Sequence, residues 1–267
     1  MSGRGRFSAV VLAARRGGAD PVAAMAGCSH KGLVPIAGQT MLARVLRALA
    51  ASGSVETMAI CIDDAAVLGE SPEIAALIEN HDIALIDSAA TPSLSVIRSV
   101  EALERPWPVL VTTADLPLLS AEMVDYFCAR AQASDADLAV GLASASVVLG
   151  RYPDTLRSFL PFRGERYTGC NLFALMTPLA MEAVAFWTSV EQDRKHPWRI
   201  FKSFGAMAMV RFLMGGATLD AALAAGSRRL GLAAAAVTMP FPNAAIDVDK
   251  PADMELVESI IRTRGNI

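Results

Sequence analysis

The first half of the chain alternates short apolar runs with longer stretches whose apolar residues recur at helical spacing. The apolar runs predict strands at 7–13, 57–62, 83–86 and 108–113. The amphipathic stretches predict helices at 40–51, 72–80 and 94–103, and a further helix that Ser120 caps and that runs to about residue 133. Strands that alternate with helices favour a mostly parallel sheet covered on both faces. We therefore expect an α/β fold, a three-layer αβα sandwich.

The rhythm changes after residue 137. The pattern there predicts strands at 138–142, 146–149 and 230–237, helices at 178–190, 197–214 and 219–225, and a last helix after the segment IDVDKPAD. The chain has 267 residues and shows no internal repeat or linker. We therefore expect a single domain, 1–267, with an insertion at about 150–215.

Composition and charge exclude several classes of protein. A net charge of −3 and an isoelectric point near 5.7 argue against a nucleic-acid binder that relies on a basic surface. No apolar run suits a membrane span, and the N-terminal one is too short for a signal peptide, so a cytoplasmic protein is expected. Four cysteines without a CxxC pair and three histidines without ligand spacing argue against a zinc site.

The first predicted strand opens into a small, basic loop, VVLAARRGG, which is followed by a lysine in SHKGLVPIAGQTML. A triphosphate needs close backbone approach, unpaired N–H groups and cations. The small residues are Ala13, Ala14, Gly17 and Gly18, and the cations are Arg15, Arg16 and Lys31. The loop matches neither GxxxxGK[ST] nor GxGxxG, so a nucleotide would be held by another loop geometry. An ordinary connection with solvated arginines is the alternative.

Asp115 follows the strand 108–113 in the segment TTADLPLLS. Ligands of open parallel sheets gather at the carboxyl ends of the strands, which favours a functional role for this carboxylate. The alternative is a turn aspartate that bonds its own backbone.

Six segments of the chain resemble, in order, the motifs of nucleotidyltransferases with a GT-A-like Rossmann fold, in particular the molybdenum-cofactor guanylyltransferase-like (MobA-like) NTP transferases. The segments are VVLAARRGG, SHKGLVPIAGQTMLARVL, PSLSVIRSVEAL, TTADLPLLS, GCNLFAL and IDVDKPADMELV, which together span roughly residues 7 to 260. The family's usual opening is LAAGxGxR. Arg15 stands where its first glycine is expected, and Gly17 and Gly18 are displaced after it.

The resemblance implies a role for each matching residue. The nucleotide would be bound by Leu12, Ala13, Ala14, Arg16, Gly17 and Gly18 around the phosphates, by Ser95 beside the base and by Asn171 towards the acceptor. Catalysis would rest on Lys31, Asp115 and Arg15. Mg²⁺ would be held by Asp115 together with Asp247 or Asp249, and the sequence leaves the choice between these two open. Two carboxylates and a triphosphate suit Mg²⁺, which keeps some of its waters.

The implied reaction is the transfer of a nucleoside monophosphate from a nucleoside triphosphate to a small phosphorylated acceptor, a sugar, alcohol or cofactor-precursor phosphate, with release of pyrophosphate. Such a reaction needs positioning and charge neutralisation more than acid–base help. Two alternatives remain. One is a GT-A glycosyltransferase, although its mid-chain DxD is replaced here by TADLP. The other is a catalytically silent nucleotide-binding protein, which the arginine at position 15 suggests.

The acceptor side is the least specified part of the sequence. Asn171 in TGCNLF matches a glycine–asparagine turn of the family, and it could equally be a strand-edge turn residue. Further basic candidates for a second phosphate, or for solvated surface, are Arg163, Arg166, Lys195, Arg199 and Lys202. The segment 186–215 mixes aromatic residues, methionines and cations. It is interpreted either as an amphipathic cap on a lipid-like acceptor, or as helices that pack on the sheet or bury a homodimer surface.

Overall fold

The computed structural model describes residues 5–15, 17–18, 20–192 and 216–265. The strands are β1 Phe7–Leu12, β2 Pro35–Ile36, β3 Gln39–Thr40, β4 Val55–Ile62, β5 Ala84–Asp87, β6 Val109–Thr113, β7 Leu138–Ser144, β8 Leu160–Phe162, β9 Glu165–Leu175 and β10 Ala234–Thr238. The α-helices are α1 Pro21–Ala26, α2 Met41–Ala50, α3 Pro72–His81, α4 Pro92–Ala102, α5 Ala121–Ala133, α6 Ala145–Arg151, α7 Ala180–Gln192, α8 Leu219–Leu230 and α9 Pro251–Gly265.

The main sheet has the order β10-β7-β9-β6-β1-β4-β5, and β8 pairs with β9 at its side. The pairs β1–β4, β1–β6, β4–β5 and β7–β10 are parallel. Strand β9 runs antiparallel to both of its neighbours, β6 and β7. The expected α/β fold with a mostly parallel sheet is confirmed, since among the described strands of this sheet only β9 runs against the rest.

The two faces of the sheet carry cores of different size. Alternate residues of β1 point to opposite faces, so Val11 joins the larger cluster and Val10 the smaller one. The larger cluster packs α2, α5 and α9 on one face through buried residues such as Leu46, Phe127 and Val257. The smaller cluster packs α4 and α7 on the other face. Helices on both faces complete the three layers.

Three predicted elements need correction. The predicted strand at 146–149 is wrong, because Ser144 accepts a hydrogen bond from the backbone N–H of Val147 and so begins helix α6. A short apolar run does not distinguish a strand from a buried helical turn. The predicted helix 219–225 extends to Leu230, where Gly231 takes a left-handed conformation with φ of 68° and ends it, so the following strand starts only at Ala234. The predicted helix 197–214 lies outside the described residues.

The sequence pattern also missed short elements. Helix α1 begins at Pro21 because Asp20 accepts hydrogen bonds from the backbone N–H groups of Val22 and Ala23. The β2–β3 hairpin and strand β8 were not predicted either. The division into one domain with an insertion at about 150–215 stays a prediction.

Candidate active site

A cleft of about 350 Å³ lies at the carboxyl ends of β1, β4 and β6, and we call it the strand-end cleft. Its walls include the loop after β1, the turn that contains Lys31, the end of β6 and the N-terminus of α4. The predicted site residues that line it are Leu12, Ala13, Ala14, Arg15, Gly17, Lys31, Ser95, Asp115 and Asp249. The fold therefore brings together residues from five separate sequence motifs, at the edge where parallel sheets bind ligands.

The loop after β1 is tied to the neighbouring strand β4 at its first residue. The backbone N–H of Ala13 donates to the carbonyl of Cys61 at 2.9 Å, which continues the β1–β4 pairing. Gly18 has a φ of 111°, a conformation that L-residues rarely adopt, and it does not line the cleft. Arg16 lies outside the described residues. The small residues expected to allow backbone approach are therefore in place at Ala13, Ala14 and Gly17.

Arg15 is held by Asp63, which follows β4. Its backbone N–H donates to Oδ1 of Asp63 at 3.0 Å, and its side-chain Nε donates to Oδ2 at 2.9 Å. The arginine that replaces the expected glycine is thus bonded to the aspartate that follows the neighbouring strand β4. About half of its side chain is exposed.

Asp63 also joins the buried imidazole of His30. Nε2 of His30 lies 3.0 Å from Oδ1 of Asp63, and its Nδ1 lies 2.9 Å from the hydroxyl of Ser29. Burial alone would raise the pKa of Asp63, but hydrogen bonds from Arg15 and His30 outweigh it and lower this pKa to about 2. Sequence reasoning missed Asp63, although the strand-end rule that selected Asp115 applies equally to the aspartates that follow β4.

Lys31 lies between two of the predicted metal ligands. Its Nζ donates to Oδ2 of Asp115 at 2.7 Å and to Oδ1 of Asp249 at 2.6 Å. Gly32 allows the turn to come this close to the end of β6, because a Cβ at Gly32 would stand only 3.0 Å from that of Ala114. The hydroxyl of Thr113 donates to the other oxygen of Asp115 at 2.5 Å and so orients the carboxylate.

The ammonium of Lys31 remains charged in this setting. Burial by itself lowers the pKa of Lys31, but the ion pairs with Asp115 and Asp249 outweigh burial and raise the pKa above its ordinary value. Both lysine and Asp115 are largely buried, while about half of the Asp249 side chain is exposed. A single cation is therefore clamped by two carboxylates, one fixed and one open to the cleft.

Asp247 stands in a different environment from Asp249. The backbone N–H of Val248 donates to the carbonyl of Asp115 at 3.0 Å, and the two aspartates on either side of it reach different partners. Asp247 is buried, forms an ion pair with Arg157 and accepts a hydrogen bond from Nδ2 of Asn171 at 3.0 Å. Asp247 does not line the strand-end cleft.

Asn171 lies within β9, where it adopts a left-handed backbone conformation with φ of 50°. The pairing of β9 with β7 is irregular beside it, between Val140 and Leu142. A non-glycine residue in this conformation inside a strand is unusual and is held by its surroundings, here by Asp247. Arg157, the other partner of that aspartate, is a second residue that the motifs did not reveal.

The start of α4 forms the side of the cleft that contains Ser95, the residue predicted to lie beside the base. The hydroxyl of Ser95 accepts a hydrogen bond from the backbone N–H of Ala89 at 2.9 Å and so shapes the loop before the helix. Glu191 of α7 reaches the same place, where one of its oxygens accepts from the backbone N–H and the hydroxyl of Ser93 at 3.3 and 2.5 Å. Glu191 lines the cleft and was also missed.

The remaining candidates are less informative. The backbone N–H of Arg163 bonds the carbonyl of Ala217, and Arg166 stacks over the ring of Phe159 at 5.7 Å. Lys195, Arg199 and Lys202 lie outside the described residues. Burial raises the pKa of the Cys128 and Cys170 thiols to about 12, which makes both poor nucleophiles.

Carboxylates are the side chains of this site that could hold a metal ion. In the described parts of the chain, no group of three or more His, Cys, Asp or Glu side chains converges in a way that could hold a metal. Asp115 and Asp249 do converge on one cation, the ammonium of Lys31. Two carboxylates completed by phosphate oxygens and water fit Mg²⁺, which rarely uses an all-protein cage.

Among the described helices, none is long and apolar enough to cross a membrane.

The sequence and fold of this chain are similar to those of known nucleotide transferases. The sequence model of a family described as MobA-like NTP transferase domain matches residues 9–198. A hypothetical transferase from Thermus thermophilus is similar with a TM-score of 0.77 and 28% identity, over 93% of this chain and 99% of that one. A search of curated proteins found no match.

Two further solved structures are similar in fold alone. CMP:2-keto-3-deoxy-manno-octonic acid synthetase complexed with CTP has a TM-score of 0.55 and 13% identity, over 97% of this chain and 99% of that one. The 4-diphosphocytidyl-2C-methyl-D-erythritol synthase from Anaerococcus prevotii has a TM-score of 0.58 and 10% identity, over 96% of both chains.

Proposed function

Since the chain belongs to the MobA-like NTP transferase family and is therefore a nucleotidyltransferase, we propose that it transfers a nucleoside monophosphate from a nucleoside triphosphate to a small phosphorylated acceptor. The acceptor class is a sugar, alcohol or cofactor-precursor phosphate, and the second product is pyrophosphate. The observation that carries the proposal is the position of Lys31 between Asp115 and Asp249.

Lys31 supplies the positive charge that a triphosphate requires. Its ammonium is already desolvated and oriented by two carboxylates, so it can exchange the exposed Asp249 for phosphate oxygens without leaving Asp115. Charge-assisted hydrogen bonds of this kind strengthen as negative charge grows on the phosphates during transfer. The loop that contains Ala13, Ala14 and Gly17 would offer backbone N–H groups to the same phosphates.

Asp115 and Asp249 are the residues that would hold Mg²⁺, and the ion pair of Asp247 with Arg157 supports a positioning role for Asp247 rather than a metal contact. Bound Mg²⁺ would neutralise charge on the phosphate oxygens and on the leaving group. Thr113 orients Asp115 by donating to one of its oxygens, and Lys31 donates to the other.

The transfer itself needs no strong base. An anionic oxygen of the acceptor phosphate forms a new bond to the α-phosphorus, and the bond from that phosphorus to the bridging oxygen of the β-phosphate breaks. The electron pair leaves with pyrophosphate. The contribution of the protein is to align both reactants and to stabilise the charge that develops.

The test is a panel of ATP, GTP, CTP and UTP with Mg²⁺ and phosphorylated acceptors, in which pyrophosphate release is measured. Acceptor-dependent release with one nucleotide is expected. Asp115→Ala should abolish release while the circular-dichroism spectrum stays unchanged, and Asp154→Ala, an exposed carboxylate in the loop after α6, serves as the control. Nucleotide binding without any release across the panel would overturn the proposal and would indicate a silent nucleotide-binding protein.

A further inference from the structure

A second cleft, larger than the first, lies over the face of the sheet that carries the smaller core cluster, and we call it the apolar cleft. Its volume is about 900 Å³, within the range of small-molecule pockets. The floor consists of strand residues of β6, β7 and β9, including Val111, Val140 and Phe173, and α7 and α8 form the walls. Phe173 is 40% exposed and Trp187 of α7 is 56% exposed, so large apolar side chains are presented rather than buried.

The two clefts are continuous. Leu12, Pro92 and Glu191 line both of them. Leu12 is the last residue of β1, immediately before the loop that would wrap the phosphates. The far part of the apolar cleft reaches Phe162 and Arg163, where β8 turns into β9 on the acceptor side of the sheet. A ligand with a polar head in the strand-end cleft can therefore extend an apolar chain along the sheet, past the Glu191 carboxylate, which accepts hydrogen bonds from Ser93.

We propose that the apolar cleft binds the hydrocarbon chain of the phosphorylated acceptor, so that the acceptor is an alkyl or isoprenoid-type phosphate rather than a sugar phosphate. This inference rests on the proposed function for the identity of the head group. The lining is almost entirely aliphatic and aromatic, which suits a chain without hydrogen-bonding groups. The charged side chains in the lining are Arg163 and Arg228 and, at the junction with the strand-end cleft, Glu191.

The direct test is isothermal titration calorimetry of the full chain with hexyl phosphate and dodecyl phosphate below their micelle concentrations, and with inorganic phosphate as the chainless probe. Each methylene that the cleft buries should strengthen binding about fourfold. Allowing for incomplete burial, dodecyl phosphate is expected to bind at least about 100-fold more tightly than hexyl phosphate. Equal affinities for the three phosphates would overturn the proposal.

A matched pair of variants on α8 tests where the hydrocarbon chain of the ligand binds. Ala222 lines the apolar cleft, whereas Ala224, two residues further on the same helix, is exposed and does not. Ala222→Trp fills the cleft and should weaken dodecyl phosphate binding about tenfold or more, and Ala224→Trp should leave it unchanged. Equal effects of the two substitutions would show that the hydrocarbon chain binds outside the apolar cleft and would overturn the inference. A dimer that Ala222→Trp dissociates, with no alkyl phosphate binding, would assign the cleft to a second copy and would overturn it too.

The calorimetric readout separates this inference from the proposed function. Alkyl phosphate binding that depends on Ala222, without pyrophosphate release from any nucleotide, would refute the transferase reaction and leave the chain-binding cleft standing. Acceptor-dependent release in which KM is the same for hexyl and dodecyl phosphate, without selective binding of the longer chain, would refute the cleft and leave the reaction standing. A KM that falls with chain length supports both.

Discussion

Asp247 and Asp249 lie two residues apart in one extended segment, yet the fold gives them opposite settings. Asp249 is about half exposed, lines the strand-end cleft and contacts the ammonium of Lys31. Asp247 is buried against the guanidinium of Arg157 and the amide of Asn171. A lysine is a compact cation on a flexible stem that can move to a ligand. The buried guanidinium of Arg157 contacts Asp247 through two of its nitrogens and is therefore a fixed partner.

The difference separates a carboxylate that can take part in chemistry from one that holds a structure in place. An exposed carboxylate can exchange its lysine for a metal ion at little cost. Removing one partner of a buried pair instead leaves a charge without compensation in a medium of low dielectric. We therefore expect changes at Asp247 to act on stability and changes at Asp249 to act on activity.

The largest effect is expected from Asp247→Ala, which leaves the buried guanidinium of Arg157 without its carboxylate partner. The free energy of unfolding should fall by about 3 kcal/mol, measured by urea denaturation. The double variant Asp247→Leu/Arg157→Met, which removes both charges and keeps the volume, should regain most of that loss. A single variant that loses less than about 1 kcal/mol would show that the buried pair is not structural and would break the contrast with Asp249.

Asp249→Asn should act on turnover instead. Loss of one charged contact to the reacting phosphates is expected to lower kcat/KM about 100-fold, close to the cost of removing one transition-state contact in other enzymes. The free energy of unfolding should change by less than about 0.5 kcal/mol, because Asp249 is half exposed and the largely buried Lys31 keeps its ion pair with Asp115. Full activity in Asp249→Asn, combined with inactive but stable Asp247→Asn, would reverse the assignment of the two carboxylates.

Asp63 offers an intermediate case, because its arginine partner is partly exposed. Its pKa is lowered to about 2 in the folded chain, so the stabilisation is complete above the ordinary aspartate value and is lost as the pH falls towards 2. Asp63→Asn should cost about 1 kcal/mol at pH 7 after solvent screening, and the gap to the unmodified chain should close between about pH 4 and pH 2. Urea titrations at several pH values measure it, and a gap independent of pH would contradict the pKa.

The smallest effect is expected from Arg15→Gly, which restores the glycine typical of the family. The variant loses an exposed ion pair with Asp63, so the free energy of unfolding should fall by less than about 1 kcal/mol. Nucleotide affinity, measured by calorimetry, should change less than about fivefold, because the Arg15 side chain is held on Asp63. A loss of affinity beyond tenfold would show that Arg15 contacts the phosphates directly.

Most of the sheet could be read from the chain because apolar periodicity is a local property. The strands around Val10, Ile60 and Val111 are runs of buried residues, and the prediction of each is confirmed within two residues at either end. The predicted strand at 146–149 failed because a single capping hydrogen bond from Val147 to Ser144 decided between helix and strand. Local apolarity carries no information about that bond.

The candidate site divides in the same way. Lys31, Asp115 and the loop before Gly17 were predictable, since each follows a recognisable strand end or motif. Asp63, Arg157 and Glu191 were not, because their roles depend on partners 48, 90 and 98 residues away.

The sequence by itself therefore determined the main alternation of longer strands and helices in the first half of the chain, the small basic loop, and the set of carboxylates that could serve a metal ion, because these follow from local periodicity and motif spacing. Only the tertiary structure decided which of two neighbouring aspartates faces the cleft and where Arg15 points. The direction in which each side chain of an irregular segment points depends on contacts with residues distant in sequence. Here these contacts are the hydrogen bond from Val248 to Asp115 and the ion pair between Arg157 and Asp247. The continuity of the two clefts was decided there as well, since it exists only where β1, α4 and α7 meet.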